Sequence, residues 1–110
     1  MSIRKIDSRL HVTGQLLPEQ MKQVADLGYK TSICMRPDRE GPGQPDFAAV
    51  EKAAVSCGLT IHHIPVVPGR VNLDQAQQLK AVLNQQAGPV LAFCASGQRC
   101  AALYQLTDLA

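Results

Sequence analysis

A cysteine and an arginine five positions apart, in "PVLAFCASGQRCAAL" (residues 89–103), carry the most chemistry in this chain. An apolar run ends on Cys94. The small residues Ala95, Ser96 and Gly97 follow, and then Gln98, Arg99 and Cys100 open a helical pattern. A loop that leads from a strand end into a helix start gathers unpaired backbone N–H groups, and the helix dipole adds partial positive charge. Gly97 permits a tight curl, while Ala95 and Ser96 are small enough to leave its centre open. Such a nest accepts an oxyanion, and Arg99 adds a planar fork that matches phosphate or sulfate. The same field stabilises a thiolate, so Cys94 is expected to ionise below the ordinary thiol range and to be nucleophilic near neutrality. Residues 94–100 are therefore read as a thiolate aimed at a phosphorus or sulfur atom whose oxygens the loop holds.

The elements around this loop must bring it to a ligand. "LHVTG" (10–14) reads as a short strand, hairpin-paired with residues around Ile3 to Ile6. A helix over "LPEQMKQVADLG" follows, with Pro18 in its first turn, Leu17, Met21 and Val24 on one face, and Gly28 closing it. "KTSICM" (30–35) reads as a buried strand, "RPDREGPGQP" (36–45) as a loop, and "DFAAVEKAAVSCG" as a helix with Phe47, Val50, Ala54 and Cys57 on its stripe. "LTIHHIPVV" (59–67) is the next expected strand, then the turn "PGR". A helix opening at Asn72 with Gln75 as its capping-box partner buries Ala76, Leu79 and Leu83. "VLAFC" is the last strand, and "QRCAALYQLTDLA" (98–110) the last helix, with no stop signal before the end.

This alternation predicts an α/β fold with a parallel-type central sheet flanked by helices, in one domain spanning 1–110. Right-handed crossovers set the C-terminal ends of parallel strands on one edge, so the loops 36–45, 68–71 and 94–99 share a rim, where open α/β sheets bind ligands. With two Phe, two Tyr and no Trp, the core must be aliphatic, and there is no aromatic platform for single-stranded nucleic acid. A net charge of +2 without a basic run points to no polyanionic partner. No stretch approaches a membrane span, and "MSIRKIDSRL" has no apolar leader core, so a cytoplasmic location is expected, with Cys34, Cys57, Cys94 and Cys100 as reduced thiols.

The sequence resembles the bacterial beta-lactamase-hydrolase-like, phosphatase-like domain family, small relatives of the dual-specificity protein phosphatases. "LHVTGQLLPEQMKQVADLGYKTSICMRPDRE" is similar to the family's opening strand, helix and "RPD" loop. "QPDF", "HHIPV" and "VLAFCASGQRCA" follow in the expected order. The resemblance implies a dual-specificity-phosphatase-like fold and a cofactor-free thiol phosphatase. Cys94 would be the nucleophile, Arg99 the phosphate clamp and 95–100 the phosphate-binding loop. The substrate would be a phosphorylated small molecule or phosphoprotein, in the manner of phosphotyrosine. Two features depart from that pattern. Four residues separate Cys94 from Arg99, where thiol phosphatases have five. Four is the rhodanese loop length, so a sulfurtransferase with a Cys94 persulfide is an alternative, although no "GHIPGA"-like segment lies upstream. Family domains also occur fused to metallo-hydrolases linked to sulfide metabolism. The loop "VPGRV" also lacks the carboxylate that dual-specificity relatives place there as general acid. Asp38 on the first rim loop is the candidate, with Glu40 and Asp46 behind it. A module that binds oxyanions without turnover is a third reading.

Cys100 falls where related phosphatases carry a Ser or Thr that bonds the thiolate; it is read either as that donor, as a resolving thiol, or as a packed helix residue. His62 and His63 are neighbours on a strand and point to opposite faces, so no metal site is expected there. Cys34 and Cys57 read as core. Arg36, at the end of a buried strand, is expected to pair with Asp38 or Glu40 and order the loop; Arg70 reads as solvated.

Overall fold

In the computed structural model, which describes residues 1–110, four helices flank a five-stranded sheet of order β1-β2-β5-β3-β4. The strands are β1 (Arg4–Lys5), β2 (Leu10–Thr13), β3 (Thr31–Cys34), β4 (Thr60–His63) and β5 (Val90–Phe93). The helices are α1 (Met21–Asp26), α2 (Phe47–Ser56), α3 (Leu73–Asn84) and α4 (Gln98–Gln105). Only β1 runs antiparallel, paired with β2 as the hairpin reading expected. The other neighbours are all parallel.

The last strand to form in sequence lies at the centre. Val90 to Phe93 is an unbroken apolar run, as a strand covered on both faces requires. Successive side chains alternate between those faces. Val90, Ala92 and Cys94 pack with Ala76, Leu79 and Leu83 of α3 and Leu103 and Tyr104 of α4. Leu91 and Phe93 pack with Met21 and Val24 of α1 and Val50 and Ala54 of α2. Cys94 thus inherits the α3–α4 face from its parity along β5, which sends its sulfur toward the start of α4.

α3 begins as its capping box predicts: the Asn72 side chain accepts from Gln75 N at 2.9 Å and Gln75 Oε1 accepts from Asn72 N at 3.2 Å. Asn72→Ala is expected to cost about 1 kcal/mol, read as a lower denaturant midpoint.

Three segments depart from the sequence expectation. β4 ends at His63 rather than continuing to 67, because Pro65 has no N–H for a ladder. The chain still hugs the end of β3, with Ile64 N donating to Cys34 O and Val66 N to Met35 O, both at 2.9 Å. The first helix is split: Pro18–Gln20 forms a 3-10 turn before α1, and Leu16, not Leu17, enters the core, leaving Leu17 41% exposed. The last helix stops at Gln105 instead of running to 110. Thr107 Oγ1 donates to Tyr104 O at 2.6 Å, Asp108 takes φ 58°, and its carboxylate meets Lys80 at 2.8 Å. The Tyr104 hydroxyl bonds the Asp7 carboxylate, which ties α4 to the β1–β2 turn.

No helix is long and apolar enough to cross a membrane.

Candidate functional site

β5 ends at Phe93, and the chain turns through 94–97 into α4. Gly97 makes the turn with φ 89° and ψ −11°, left-handed values that suit glycine, and it is the N-cap of α4. Its N–H donates to Cys94 Sγ at 3.0 Å. Gly14, at the end of β2, closes the loop from behind. A Cβ there would lie 3.0 Å from Ala95 O, so a larger residue would press the loop outward.

Cys94 has no exposed surface. Burial alone would push its thiol up, yet its pKa falls from 9.0 to about 5. The largest cause is the Cys100 thiol, which donates to the Cys94 sulfur; backbone N–H groups of Ser96, Cys100 and Gly97 add to it. Cys100 is held well above the thiol range by the same bond and by burial, and so stays protonated as a donor. It also packs in the core, so the two bland and functional readings of Cys100 hold together.

This shift has a sign. A folded-state pKa below the unfolded value of about 9 stabilises the fold fully above pH 9, and that contribution is lost as pH falls through about 5. Thiolate ultraviolet absorbance, taken as wild type minus Cys94→Ser, is expected to titrate near pH 5. In Cys100→Ala the midpoint rises, and in Cys100→Ser it stays low. A midpoint near the ordinary thiol value in wild type would contradict this electrostatic account.

Arg99 is half-buried on the first turn of α4. Its Nη1 donates to Glu40 Oε2 at 2.7 Å and to the Val66 carbonyl at 2.9 Å, and its Nη2 donates to Glu40 Oε1 at 2.6 Å. Guanidinium has five N–H donors. These three bonds leave Nε–H and one Nη2–H, which lie on one edge and form a second fork for an oxyanion. The Arg99 pair draws the Glu40 carboxyl below its usual range, with Arg36 adding to the effect.

The rim loop that carries Glu40 is anchored residue by residue. Arg36 Nε reaches Glu40 Oε1 at 3.0 Å and Nη1 reaches Gln15 Oε1 at 3.2 Å, so Arg36 pairs with Glu40 of the two carboxylates expected for it. The Arg36 carbonyl faces Cys34 Sγ at 3.6 Å and His63 Nε2 at 3.0 Å. Burial raises the Cys34 thiol to about 11, which keeps it a neutral donor. His63 stacks on Phe47 with ring centroids 4.3 Å apart. Asp38 Oδ1 accepts from Phe47 N at 2.8 Å, capping α2 where Asp46 makes no side-chain cap.

The loops 36–45 and 94–99 therefore meet through Glu40 and Arg99, and the segment after β4 joins them through Val66 O. A cavity of about 420 Å³ lies beside them, lined in part by Pro68, Gly69, Val71, Ser96, Gln98 and Arg99. Glu40 and Val66 are the partners of Arg99 that sequence spacing did not single out. Glu40 is expected from sequence as a partner of Arg36 or a reserve for Asp38, not as a partner of Arg99, and a backbone carbonyl leaves no sequence signal.

The sequence matches the phosphatase-like domain of beta-lactamase hydrolase-like proteins over residues 2–110. The chain belongs to this family. Its beta-lactamase hydrolase-like relative from Xylella fastidiosa is 33% identical over 109 residues, which are 99% of this chain and 25% of that protein. The phosphatase-like domain thus spans about a quarter of the length of the curated relatives it matches. The crystal structure of a candidate phosphatase from Neisseria meningitidis superposes with a TM-score of 0.85 at 39% identity, covering 94% of this chain and 74% of that one. P. aeruginosa TpbA in complex with phosphotyrosine shares the fold, with a TM-score of 0.66 at 14% identity over 92% of this chain and 58% of that one. The phosphatase-like domain has the fold of the tyrosine and dual-specificity phosphatases.

Proposed function

We propose that this phosphatase-like domain hydrolyses phosphomonoesters through a cysteinyl-phosphate on Cys94. The observation that carries the proposal is the Cys94 sulfur, which accepts from Gly97 N–H and the Cys100 thiol at the start of α4, where Arg99 on the first helical turn keeps two donors unspent. The thiolate attacks phosphorus, the ester P–O bond breaks, and the leaving oxygen departs with the electron pair. Arg99 and the N–H groups of 95–100 hold the phosphoryl oxygens as charge builds on them. Water then attacks the cysteinyl-phosphate, phosphate leaves, and the thiolate returns.

The leaving group decides which esters are turned over. The Asp38 carboxylate accepts an N–H at the start of α2, and Glu40 is locked ionised between two guanidinium groups. Asp38, expected from its rim position to serve as proton donor, has Oδ1 committed to Phe47 N and only Oδ2 left for that role. Aryl esters, whose phenolate leaves without an acid, fit best, and the phosphotyrosine bound to TpbA is such an ester.

Sulfur transfer is the second reading, favoured by the four residues between Cys94 and Arg99. Here the thiolate attacks the outer sulfur of thiosulfate, the S–S bond breaks, sulfite leaves with the pair, and Cys94 carries a persulfide. The deciding experiment is intact mass after rapid quenching with p-nitrophenyl phosphate or with thiosulfate. A phosphoryl gain that maps to Cys94, with nitrophenolate released, is the expected result. A single-sulfur gain from thiosulfate without nitrophenolate release replaces the phosphatase reading with the second. Neither adduct, with oxyanion binding retained, leaves a binding module.

A further inference from the structure

We infer that Arg4 is a specificity residue that binds a second anionic group on the substrate, so that this domain prefers phosphomonoesters whose leaving group carries its own negative charge. The inference rests on the phosphatase reading of the Cys94 loop.

Arg4 lies 90 positions from Cys94 in the chain, on the edge strand β1, in register with Val12 near the end of β2. From there its Nη2 comes within 3.1 Å of the point that a Cβ on Gly97 would occupy, beside the Thr13 carbonyl at 3.3 Å. The guanidinium therefore rests against the turn that cradles the Cys94 sulfur. It does so without a partner: Arg4 is exposed and makes no side-chain hydrogen bond or ion pair. Of the other rim arginines, Arg36 and Arg99 share the Glu40 carboxylate, while Arg39 and Arg70 are exposed on the loops 36–45 and 68–71, and neither is placed against Gly97 as Arg4 is.

The two sides of the loop thus differ in how the nearest cations are held. On the β3 side the Glu40 carboxylate ties down two guanidinium groups. On the β1–β2 side a lone cation stands over glycine, next to the exposed Ala95 and Ser96, with no side chain at Gly97 or Gly14 to fill the space. A phosphoryl group on the 94–99 cradle places its leaving group at the mouth of the loop. A carboxylate or second phosphate on that group then meets Arg4 in a charge-assisted bond. An exposed contact of this kind is screened by solvent and salt, so its effect is modest.

The test compares phenyl phosphate with 3- and 4-carboxyphenyl phosphate by kcat/KM in low salt, for wild type, Arg4→Gln and Arg4→Glu. Dividing each variant's ratio by that of wild type cancels the intrinsic reactivity of the esters. We expect a carboxylated isomer to be favoured by wild type about two- to fivefold over Arg4→Gln. Arg4→Glu should reverse the preference, and high salt should shrink it in wild type. A ratio that is the same in all three proteins, or unaffected by salt, overturns the inference. If no ester is turned over, the phosphatase reading has failed on its own account. The same contrast is then read without turnover, as dissociation constants for phenylphosphonate and carboxyphenylphosphonate. Equal constants in wild type and Arg4→Gln overturn the inference there too.

Discussion

Cys94→Ser is expected to lower p-nitrophenyl phosphate turnover by about 10³-fold or more while oxyanion binding survives. Removing a nucleophile erases a covalent route outright, and such losses are among the largest single-residue effects in enzymes. The reason lies in the cradle. The Cys100 thiol and the backbone N–H groups bring the Cys94 thiol from its ordinary 9.0 to about 5. A serine hydroxyl starts far higher and stays protonated in the same cradle. Arg99 and its unspent edge remain in place, so vanadate or phosphate still binds. Comparable rates for wild type and Cys94→Ser, both in reductant, would rule out Cys94 as the attacking group. The fold is not expected to fail, because the substitution is nearly isosteric. Its stability should lose the rise with pH that the thiolate contributes between about 5 and 9.

Arg99→Lys is the second large effect, a fall in kcat/KM of about 10²–10³-fold. Lysine keeps the charge but loses the fork. On the proposed reaction one guanidinium does two jobs at once. Its Nη1 and Nη2 grip Glu40 and the Val66 carbonyl, and its Nε–Nη2 edge is unspent and would take the phosphoryl oxygens. A single ammonium cannot span both. Glu40→Gln tests the outer grip separately: the amide keeps one acceptor but removes the ion pair, so Arg99 loses orientation and not charge. A smaller loss than in Arg99→Lys is expected, mainly in KM. Initial rates over a range of substrate concentration check both variants, and full activity in Arg99→Lys would show that the fork does not hold the transition state.

The candidate site was legible because it is local. Cys94, Gly97, Arg99 and Cys100 sit within one strand end and one helix turn, so backbone geometry alone brings them together. The rim was legible for a different reason: right-handed parallel crossovers force the loops 36–45 and 94–99 to one edge. What could not be read was which side chains of that rim touch. The loop 36–45 holds Pro37, Gly41, Gly43 and Pro45 and has no periodicity, so nothing in its order says that Glu40 faces Arg99 while Asp38 turns to α2. The end of α4 was hidden too, because Asp108 takes a left-handed turn where glycine is the usual marker.

By itself the sequence determined the alternation of elements, the aliphatic core and the thiol at the C-terminal end of a buried strand. Period and composition act over a few residues, and these features need no more. The tertiary structure decided the strand order β1-β2-β5-β3-β4, and with it the neighbours of the Cys94 loop. Placing β5 between β2 and β3 brings Glu40 to Arg99 from one side and Arg4 to Gly97 from the other. Those contacts join residues 59 and 93 positions apart, and only packing of the whole sheet pays the loop-closure entropy that separates them.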